Sequence, residues 1–206
     1  MVKLYVEGGG DSNELKTACR QGFTQFITAA GINKRPRVVA CGSRRDAYES
    51  YCTALANGES AMLLVDSEQA VNSQNQTGAQ NAWLPWSHLQ SRDGWRKPEG
   101  AIDTDCHLMV QVMESWFIAD RKTLENFFGQ NFNANVLPSE QRPIEEVSKQ
   151  QVYQALENAT KDCKKGKYGK GSHSFKILKE ISPALVQQAS GWAARFINEL
   201  KNKMDA

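Results

Sequence analysis

The chain has 206 residues, which is enough for one domain with an elaboration, or for a domain and a small second one. Twenty-five basic and 23 acidic side chains give a formal net charge of +2. No field of one sign therefore covers the whole surface, and any contact with nucleic acid must come from a local patch. The sequence has no long apolar run and no signal-peptide pattern, so we expect a soluble, cytoplasmic protein with no membrane partner.

The pattern of apolar residues predicts an α/β fold with a mostly parallel sheet flanked by helices. We predict strands at 2–7 and 37–41, a third from 61 that delivers Asp66 and Glu68, and a fourth at 106–113. Helices are predicted to end near 30, 57 and 128, and to cover about 144–162, 174–180 and 183–204. The five cysteines lie in or beside apolar runs without a CxxC pair, which favours buried thiols over disulfides or a zinc site.

Between residues 69 and 105 the periodic pattern lapses into an irregular insertion that contains Trp83, Trp86 and Trp95. A loop of this length in a compact domain is usually functional or disordered. We expect the tryptophans to pack the segment onto the domain, with stacking on unpaired bases as the alternative. The predicted organisation is an α/β core at 1–128, which includes this insertion, and a helical C-terminal elaboration at 129–206 packed on the core.

Carboxylates stand at the ends of two predicted strands. Glu7 ends the first and is followed by three glycines and Asp11, while Asp66 and Glu68 end the third. The carboxyl ends of parallel strands open onto one crevice, so these acids should converge there. Because alternate residues of a strand face one side, Asp66 and Glu68 can share a ligand sphere. Clustered carboxylates repel one another unless a cation lies among them, and oxygen ligands favour Mg²⁺ or Mn²⁺.

Local capping is the alternative explanation for both acidic motifs. The glycines could provide a bend and Asp11 could cap the following helix, while Asp66 and Glu68 could cap the next element. This alternative does not account for Glu7. A charge at the end of a hydrophobic strand costs stability unless it is paired or bound to a metal.

The same residues resemble a known signature. Val6-Glu7-Gly8 followed by Asp11, together with the Asp-x-acid pair at 66–68, is similar to the Toprim signature of topoisomerases, bacterial primases and overcoming-lysogenization-defect nucleases, with Glu68 in place of the more usual aspartate. The segments Met-Glu-Ser-Trp at 113–116 and Tyr-Gly-Lys-Gly-Ser-His at 168–173 resemble a family of Toprim-like prokaryotic proteins of unknown function. That family includes the nuclease effector of the PARIS phage-defence system, which is paired with an ATPase.

The resemblance implies a Toprim-type nuclease, a metal-dependent hydrolase of nucleic-acid phosphodiesters that acts in phage defence with an ABC-type or AAA-like ATPase partner. The metal ligands that it implies are Glu7, Asp66, Glu68, Asp11 and Glu114. Glu7 could instead be a general base, Lys170 would neutralise charge on the phosphate, and His173 would orient it or transfer a proton. Three questions stay open: whether the substrate is DNA or RNA, whether one metal or two are bound, and whether the chain forms a homodimer.

Two basic segments are candidates for nucleic-acid binding. The residues are Lys164, Lys165, Lys167, Arg96 and Lys97. For the lysine-rich segment around 164–167, the alternative to nucleic-acid binding is a solvated loop. For Glu114, the alternative to metal binding is an interaction with the dipole of the following helix. We expect Trp116 to belong to the core and His88 and His107 to be structural. Two other functions remain: a non-catalytic scaffold of an ATPase complex with one structural cation, and a phosphoester hydrolase that acts on nucleotides.

Overall fold

A four-stranded parallel sheet lies at the centre of the fold in the computed structural model, which describes residues 1–206. Its strands are β1 (Lys3–Val6), β2 (Arg37–Ala40), β3 (Ala61–Asp66) and β4 (Cys106–Met109). Their order is β2-β1-β3-β4, and every pairing is parallel. The chain runs from β1 to β2 on one side and then crosses to β3 on the other. The topological switch point, where ligands bind in open α/β sheets, therefore lies between β1 and β3.

Nine α-helices flank the sheet, which confirms the predicted α/β class. They are α1 (Asn13–Ala29), α2 (Arg44–Ala56), α3 (Pro85–Asp93), α4 (Ser115–Ala119), α5 (Arg121–Phe128), α6 (Lys149–Thr160), α7 (Lys170–Leu178), α8 (Pro183–Ala189) and α9 (Gly191–Asp205). Serine side chains set several helix starts, because their hydroxyl oxygens accept hydrogen bonds from free backbone N–H groups. Ser12, Ser43 and Ser148 cap α1, α2 and α6 in this way. None of the helices combines the length and the apolar character that crossing a bilayer requires.

Alternate residues of the strands face two hydrophobic cores. Leu4 and Leu64 belong to the larger core, whereas Tyr5 and Leu63 belong to the smaller one on the opposite face. All six residues of β3 are buried, as expected for a parallel strand that is covered on both sides. The larger core also contains the buried ring of Trp116, which stacks on Phe26 with 5.1 Å between ring centroids, so the predicted core position of this tryptophan is confirmed.

Helices of the C-terminal region pack directly against the sheet and α1. Gly22 of α1 lets α7 approach closely, since a Cβ atom there would lie 3.1 Å from the carbonyl oxygen of Phe175. Helix α9 lies on β4, where Arg195 donates a 2.8 Å hydrogen bond to the carbonyl oxygen of Cys106. This contact satisfies a backbone group on an edge strand. The division of the chain near residue 128 stays a prediction.

The insertion at 69–105 differs from the irregular loop that was predicted, because it contains α3 and three 3-10 turns. Pro85 begins α3, and Gly94 ends it with a φ of 72°. Trp86 packs on Tyr51, with 5.9 Å between ring centroids, and Trp83 packs on Trp192 at 4.8 Å. Trp95 stacks on Tyr48, with 4.6 Å between ring centroids. Packing onto the domain is therefore confirmed for all three tryptophans, of which Trp86 is buried.

Other boundaries also differ from the prediction. The fourth strand ends at Met109 rather than at 113, because the following residues curl over the end of β3 and the Met113 N–H donates to the Asp66 carboxylate. The final helix is not continuous over 183–204. It breaks at Ser190, whose hydroxyl oxygen accepts from the N–H of Ala193 and so starts α9. Helix α7 begins earlier than predicted, at Lys170.

Candidate metal centre

Three carboxylates converge at the switch point. Glu7 follows β1, Asp66 ends β3, and Glu68 lies two residues further on. One oxygen atom from each of the three lies within 4.8 Å of the others. The structure thus brings together three of the five acids that were predicted as metal ligands, and their role as ligands stays a prediction.

The glycine turn after β1 shapes the wall beside Glu7. Gly8 has a φ of 126°, and a Cβ atom on it would lie 2.9 Å from the ring of Phe175. A Cβ atom on Gly9 would lie 2.8 Å from the Cα atom of Lys16. Both positions therefore require glycine, because only glycine permits this backbone conformation and so close an approach of α1 and α7.

Partly buried Glu7 lies beside fully buried Asp66. The Glu7 Oε2 atom accepts a 3.0 Å hydrogen bond from the Asp66 N–H, and the Asp66 Oδ1 atom accepts one of 2.8 Å from the Met113 N–H. Burial raises the pKa of Glu7 to about 7, although that hydrogen bond and the charges of Lys170 and Arg44 act in the other direction. Burial, followed by the charges of Glu7 and Glu114, raises the pKa of Asp66 well above its usual range. The pair therefore favours a proton or a cation between its members.

Glu68 joins the cluster by a route that differs from the prediction. Strand β3 ends at Asp66, so alternation along a strand does not bring Glu68 to the site. It has a left-handed φ of 67°, and its N–H donates a 2.7 Å hydrogen bond to the carbonyl oxygen of Gln111. This turn directs the carboxylate toward Lys149, whose Nζ atom lies 2.7 and 2.6 Å from its two oxygens.

Basic side chains that the sequence analysis missed surround the acids. Arg44 donates a 2.8 Å hydrogen bond to the carbonyl oxygen of Asp66 and lies 3.7 Å from Glu7. Its other nitrogens form a fork with Asp93 at 2.8 and 3.0 Å. Arg44 and Lys149 are the first residues of α2 and α6. For Arg44, a basic residue directly after a serine cap was the available signal, since a helix that follows a parallel strand begins at the carboxyl edge of the sheet. Helix α6 follows no strand, so the sequence gives no such signal for Lys149.

The donor set fits a hard divalent cation. Carboxylate oxygens are the ligands that Mg²⁺ and Mn²⁺ prefer, and the Glu7 Oε1 atom makes no hydrogen bond within the chain. The second oxygen of Asp66 makes no hydrogen bond within the chain and lies 4.0 Å from the Lys170 ammonium. Both oxygens of Glu68 are held by Lys149, so a cation at the cluster would share that carboxylate with an ammonium group.

Two predicted metal ligands do not join this cluster. Asp11 is exposed, directly before the Ser12 cap of α1. Glu114 is fully buried, and hydroxyl groups occupy both of its oxygens. Tyr168 and Ser174 donate to Oε1 at 3.0 and 3.1 Å, and Tyr153 donates to Oε2 at 3.2 Å.

Of the two predicted catalytic residues in α7, only Lys170 reaches the acids. Its ammonium lies 4.0 Å from Asp66 and donates a 3.3 Å hydrogen bond to the Tyr153 hydroxyl. Burial disfavours this ammonium, but the charges of Glu114 and Asp66 outweigh burial and raise the pKa of Lys170. The His173 Nδ1 atom instead accepts from the Gly169 N–H at 3.0 Å, and its ring packs on aromatic side chains. His173 makes no contact with the carboxylates.

Most of the predicted nucleic-acid-binding residues have partners within the chain. Lys165 donates to the carbonyl oxygen of Phe127 and lies over its ring at 4.1 Å. Lys167 pairs with Glu157 at 2.5 Å, and Lys97 pairs with Asp103 at 2.6 Å. The side chains of Lys164 and Arg96 are exposed and have no such partner.

The predicted structural role of two histidines is confirmed by their contacts. The His88 Nε2 atom lies 3.0 Å from the carbonyl oxygen of Ser67, and buried His107 lies 3.0 Å from the guanidinium of Arg195. Neither ring belongs to the acidic cluster.

One comparison with known proteins gave a match. A family model described as "Domain of unknown function (DUF4276)" matches residues 6–201. The match includes the three clustered acids and Lys170, together with all nine helices apart from the last turn of α9. No curated protein and no solved structure gave a significant match.

Proposed function

We propose that this chain, which belongs to the DUF4276 family of domains of unknown function, is a divalent-metal-dependent hydrolase that cleaves nucleic-acid phosphodiesters. The observation that carries the proposal is the approach of Glu7, Asp66 and Glu68 to within 4.8 Å at the switch point of the sheet. Three acids at such a point can bind a cation and, through it, a phosphate.

Glu7, Asp66 and Glu68 would hold the cation, which we propose to be Mg²⁺ or Mn²⁺. When bound, such an ion polarises a phosphoryl oxygen and lowers the pKa of coordinated water. The chain supplies the geometry, since backbone N–H groups fix one oxygen each of Glu7 and Asp66. These bonds leave the other oxygen of each acid for the ion.

Lys170 would bind the phosphate. About half of its side chain, 52%, is exposed to solvent, and its ammonium lies 4.0 Å from Asp66. A positive charge at this position stabilises the negative charge that develops on the phosphate oxygens. Glu7, with a pKa of about 7, can accept a proton from water at neutral pH if it does not ligate the ion.

The biological part of the proposal is a cytoplasmic effector of phage defence that acts with an ATPase partner. Its support is the resemblance of the segments at 113–116 and 168–173 to the Toprim-like family described above. DNA and RNA, including transfer RNA, are both substrates to test.

A second candidate is hydrolysis of a phosphoester in a nucleotide. It is favoured by the pairing of Lys97, Lys165 and Lys167 within the chain, because a polymer needs several free cations along its path. A non-catalytic scaffold is the third candidate, since Lys149 already neutralises Glu68 and one structural cation would suffice for the remaining acids.

Cleavage assays with the purified chain separate these candidates. Labelled DNA, RNA and free nucleotides are incubated with Mg²⁺, with Mn²⁺, or with a chelator. We expect metal-dependent cleavage of a polymer, its loss in Glu7→Gln and Asp66→Asn, and its retention in Glu180→Gln, a matched change at an exposed glutamate. Cleavage of nucleotides alone would favour the second candidate. Equal cleavage by all variants would reveal a contaminant and contradict the proposal.

A further inference from the structure

Glu114 is a buried carboxylate without a basic hydrogen-bond partner. Its side chain has 0% exposure, and its three hydrogen-bond donors are the hydroxyl groups of Tyr153, Tyr168 and Ser174. A buried charge is costly unless it is hydrogen-bonded and balanced by an opposite charge. The hydroxyl groups meet the first requirement only.

The balancing charge is Lys170, which reaches Glu114 through one intermediate group. The Lys170 ammonium has only donors, so its 3.3 Å contact makes the Tyr153 oxygen an acceptor. The Tyr153 hydroxyl proton is then free to be donated to Glu114 at 3.2 Å. Ammonium, hydroxyl and carboxylate thus form one chain with a consistent direction of hydrogen bonding.

The backbone near Lys170 is fixed by the same carboxylate. Tyr168 and Ser174 lie two residues before and four residues after Lys170, and both donate to Glu114. The start of α7, which has no side-chain cap, is therefore held from both sides. The Lys170 ammonium lies 4.0 Å from the Asp66 carboxylate.

We infer that Glu114 and Tyr153 are positioning residues, which hold the Lys170 ammonium beside Asp66 where it contacts the phosphate of the substrate. This inference rests on the proposed function for the role of Lys170. Glu114 therefore acts on Lys170 from the interior of the protein and is not a metal ligand, in contrast to the role predicted from the sequence.

Two measurements test the inference, and the first does not need activity. The chain is treated with an amine-acylating ester, and labelling of Lys170 is compared by mass spectrometry with that of exposed Lys176 on the same helix. Tyr153→Phe should increase the labelling ratio by about fivefold, because one hydrogen bond to a charged group is lost. Binding of Mn²⁺, followed by electron paramagnetic resonance, should stay within about twofold of the native affinity, because no ligand is lost. Tyr51→Phe, on the opposite face of the sheet, is the matched control and should change neither quantity.

The second measurement is a double-mutant cycle in the cleavage assay. Tyr153→Phe should lower kcat/KM by about tenfold in the native background and have no further effect in Lys170→Ala, as expected for residues that act through one another. An unchanged labelling ratio would overturn the inference, as would additive effects. Loss of Mn²⁺ binding in Glu114→Gln, in folded protein, would make Glu114 a ligand and also overturn it. Without any cleavage by the native chain, the proposed function fails, whereas the labelling result still decides the positioning of Lys170.

Discussion

The Nζ atom of Lys149 lies 2.7 and 2.6 Å from the two carboxylate oxygens of Glu68. Both residues are anchored to Gln111, whose carbonyl oxygen accepts from the Glu68 N–H at 2.7 Å and whose side chain accepts from the Lys149 N–H at 3.3 Å. The beginning of α6 and the acidic cluster are therefore joined through a single residue. Lys149 thus places a positive charge beside the Glu68 carboxylate, which a metal ion bound at the acidic cluster would also contact.

Replacing this ammonium should change metal affinity. In Lys149→Met the competition for the Glu68 oxygens is removed, so we expect Mn²⁺ to bind about tenfold more tightly, since carboxylates free of a cationic partner attract a divalent ion more strongly. Titration with Mn²⁺, followed by electron paramagnetic resonance, measures the affinity of each variant. Lys176→Met, at an exposed lysine without a partner, is the control. Weaker binding in Lys149→Met would mean that the lysine holds Glu68 in a ligand geometry instead.

The pH dependence of stability should report the pKa of Glu7. Because burial raises this pKa from 4.5 to about 7, the folded state binds more protons than the unfolded state between these values. The free energy of unfolding should therefore fall as the pH rises through this window, by up to about 3 kcal/mol in the absence of metal. Thermal melts of native protein and Glu7→Gln, with chelator present, measure the difference.

The comparison with Glu7→Gln is essential because the histidines act in the opposite direction. Burial lowers the pKa of His88, His107 and His173, so their contribution to stability is lost as the pH falls. Subtracting the two curves removes this contribution. A difference that does not vary between about pH 4.5 and 7 would show that Glu7 is not buried in its acidic form.

Two tyrosines should respond oppositely to loss of the hydroxyl group. The Tyr51 hydroxyl is buried without a partner, so Tyr51→Phe should be neutral or stabilise the protein by up to about 1 kcal/mol. The Tyr168 hydroxyl donates to Glu114 at 3.0 Å, and Tyr168→Phe should destabilise by about 1–3 kcal/mol. Chemical denaturation measures the free energy of unfolding of both variants and of the native protein. Equal effects would contradict the assigned hydrogen bond.

The glycine turn beside Glu7 should not tolerate a side chain. Gly8→Ala places a methyl group 2.9 Å from the Phe175 ring at a φ of 126°, and we expect a loss of about 1–3 kcal/mol. In Gly171→Ala the new methyl group meets nothing within 4 Å on a helix, so stability should hold or increase by up to about 1 kcal/mol. Denaturation midpoints compare the two variants. A harmless Gly8→Ala would contradict the close packing of α7 on this turn.

The parts of the site that the sequence predicts are those set by local pattern. Glu7 and Asp66 each end an apolar strand, and parallel pairing then brings them to one edge. Glu68 was predicted at the site for the wrong reason, since a left-handed turn and not strand alternation directs it. Asp11 fits the spacing of an acid after the glycines, but the adjacent Ser12 cap leaves it exposed.

The rest of the site depends on contacts between residues that lie far apart in the sequence. Lys149 meets Glu68 across 81 positions of sequence, and Tyr168 meets Glu114 across 54. No local periodicity encodes such pairs. The break between α8 and α9 has only Ser190 before Gly191 as its signal, in a segment whose apolar pattern otherwise continues.

The most direct test of the central claim is Mn²⁺ binding by native protein, Glu7→Gln, Asp66→Asn and the control Glu180→Gln, followed by electron paramagnetic resonance alongside thermal melts. We predict that native protein and Glu180→Gln bind the ion equally, and that loss of either clustered acid weakens binding by at least about tenfold while the protein stays folded. Undiminished binding by folded Asp66→Asn and Glu7→Gln would contradict a metal centre formed by these acids.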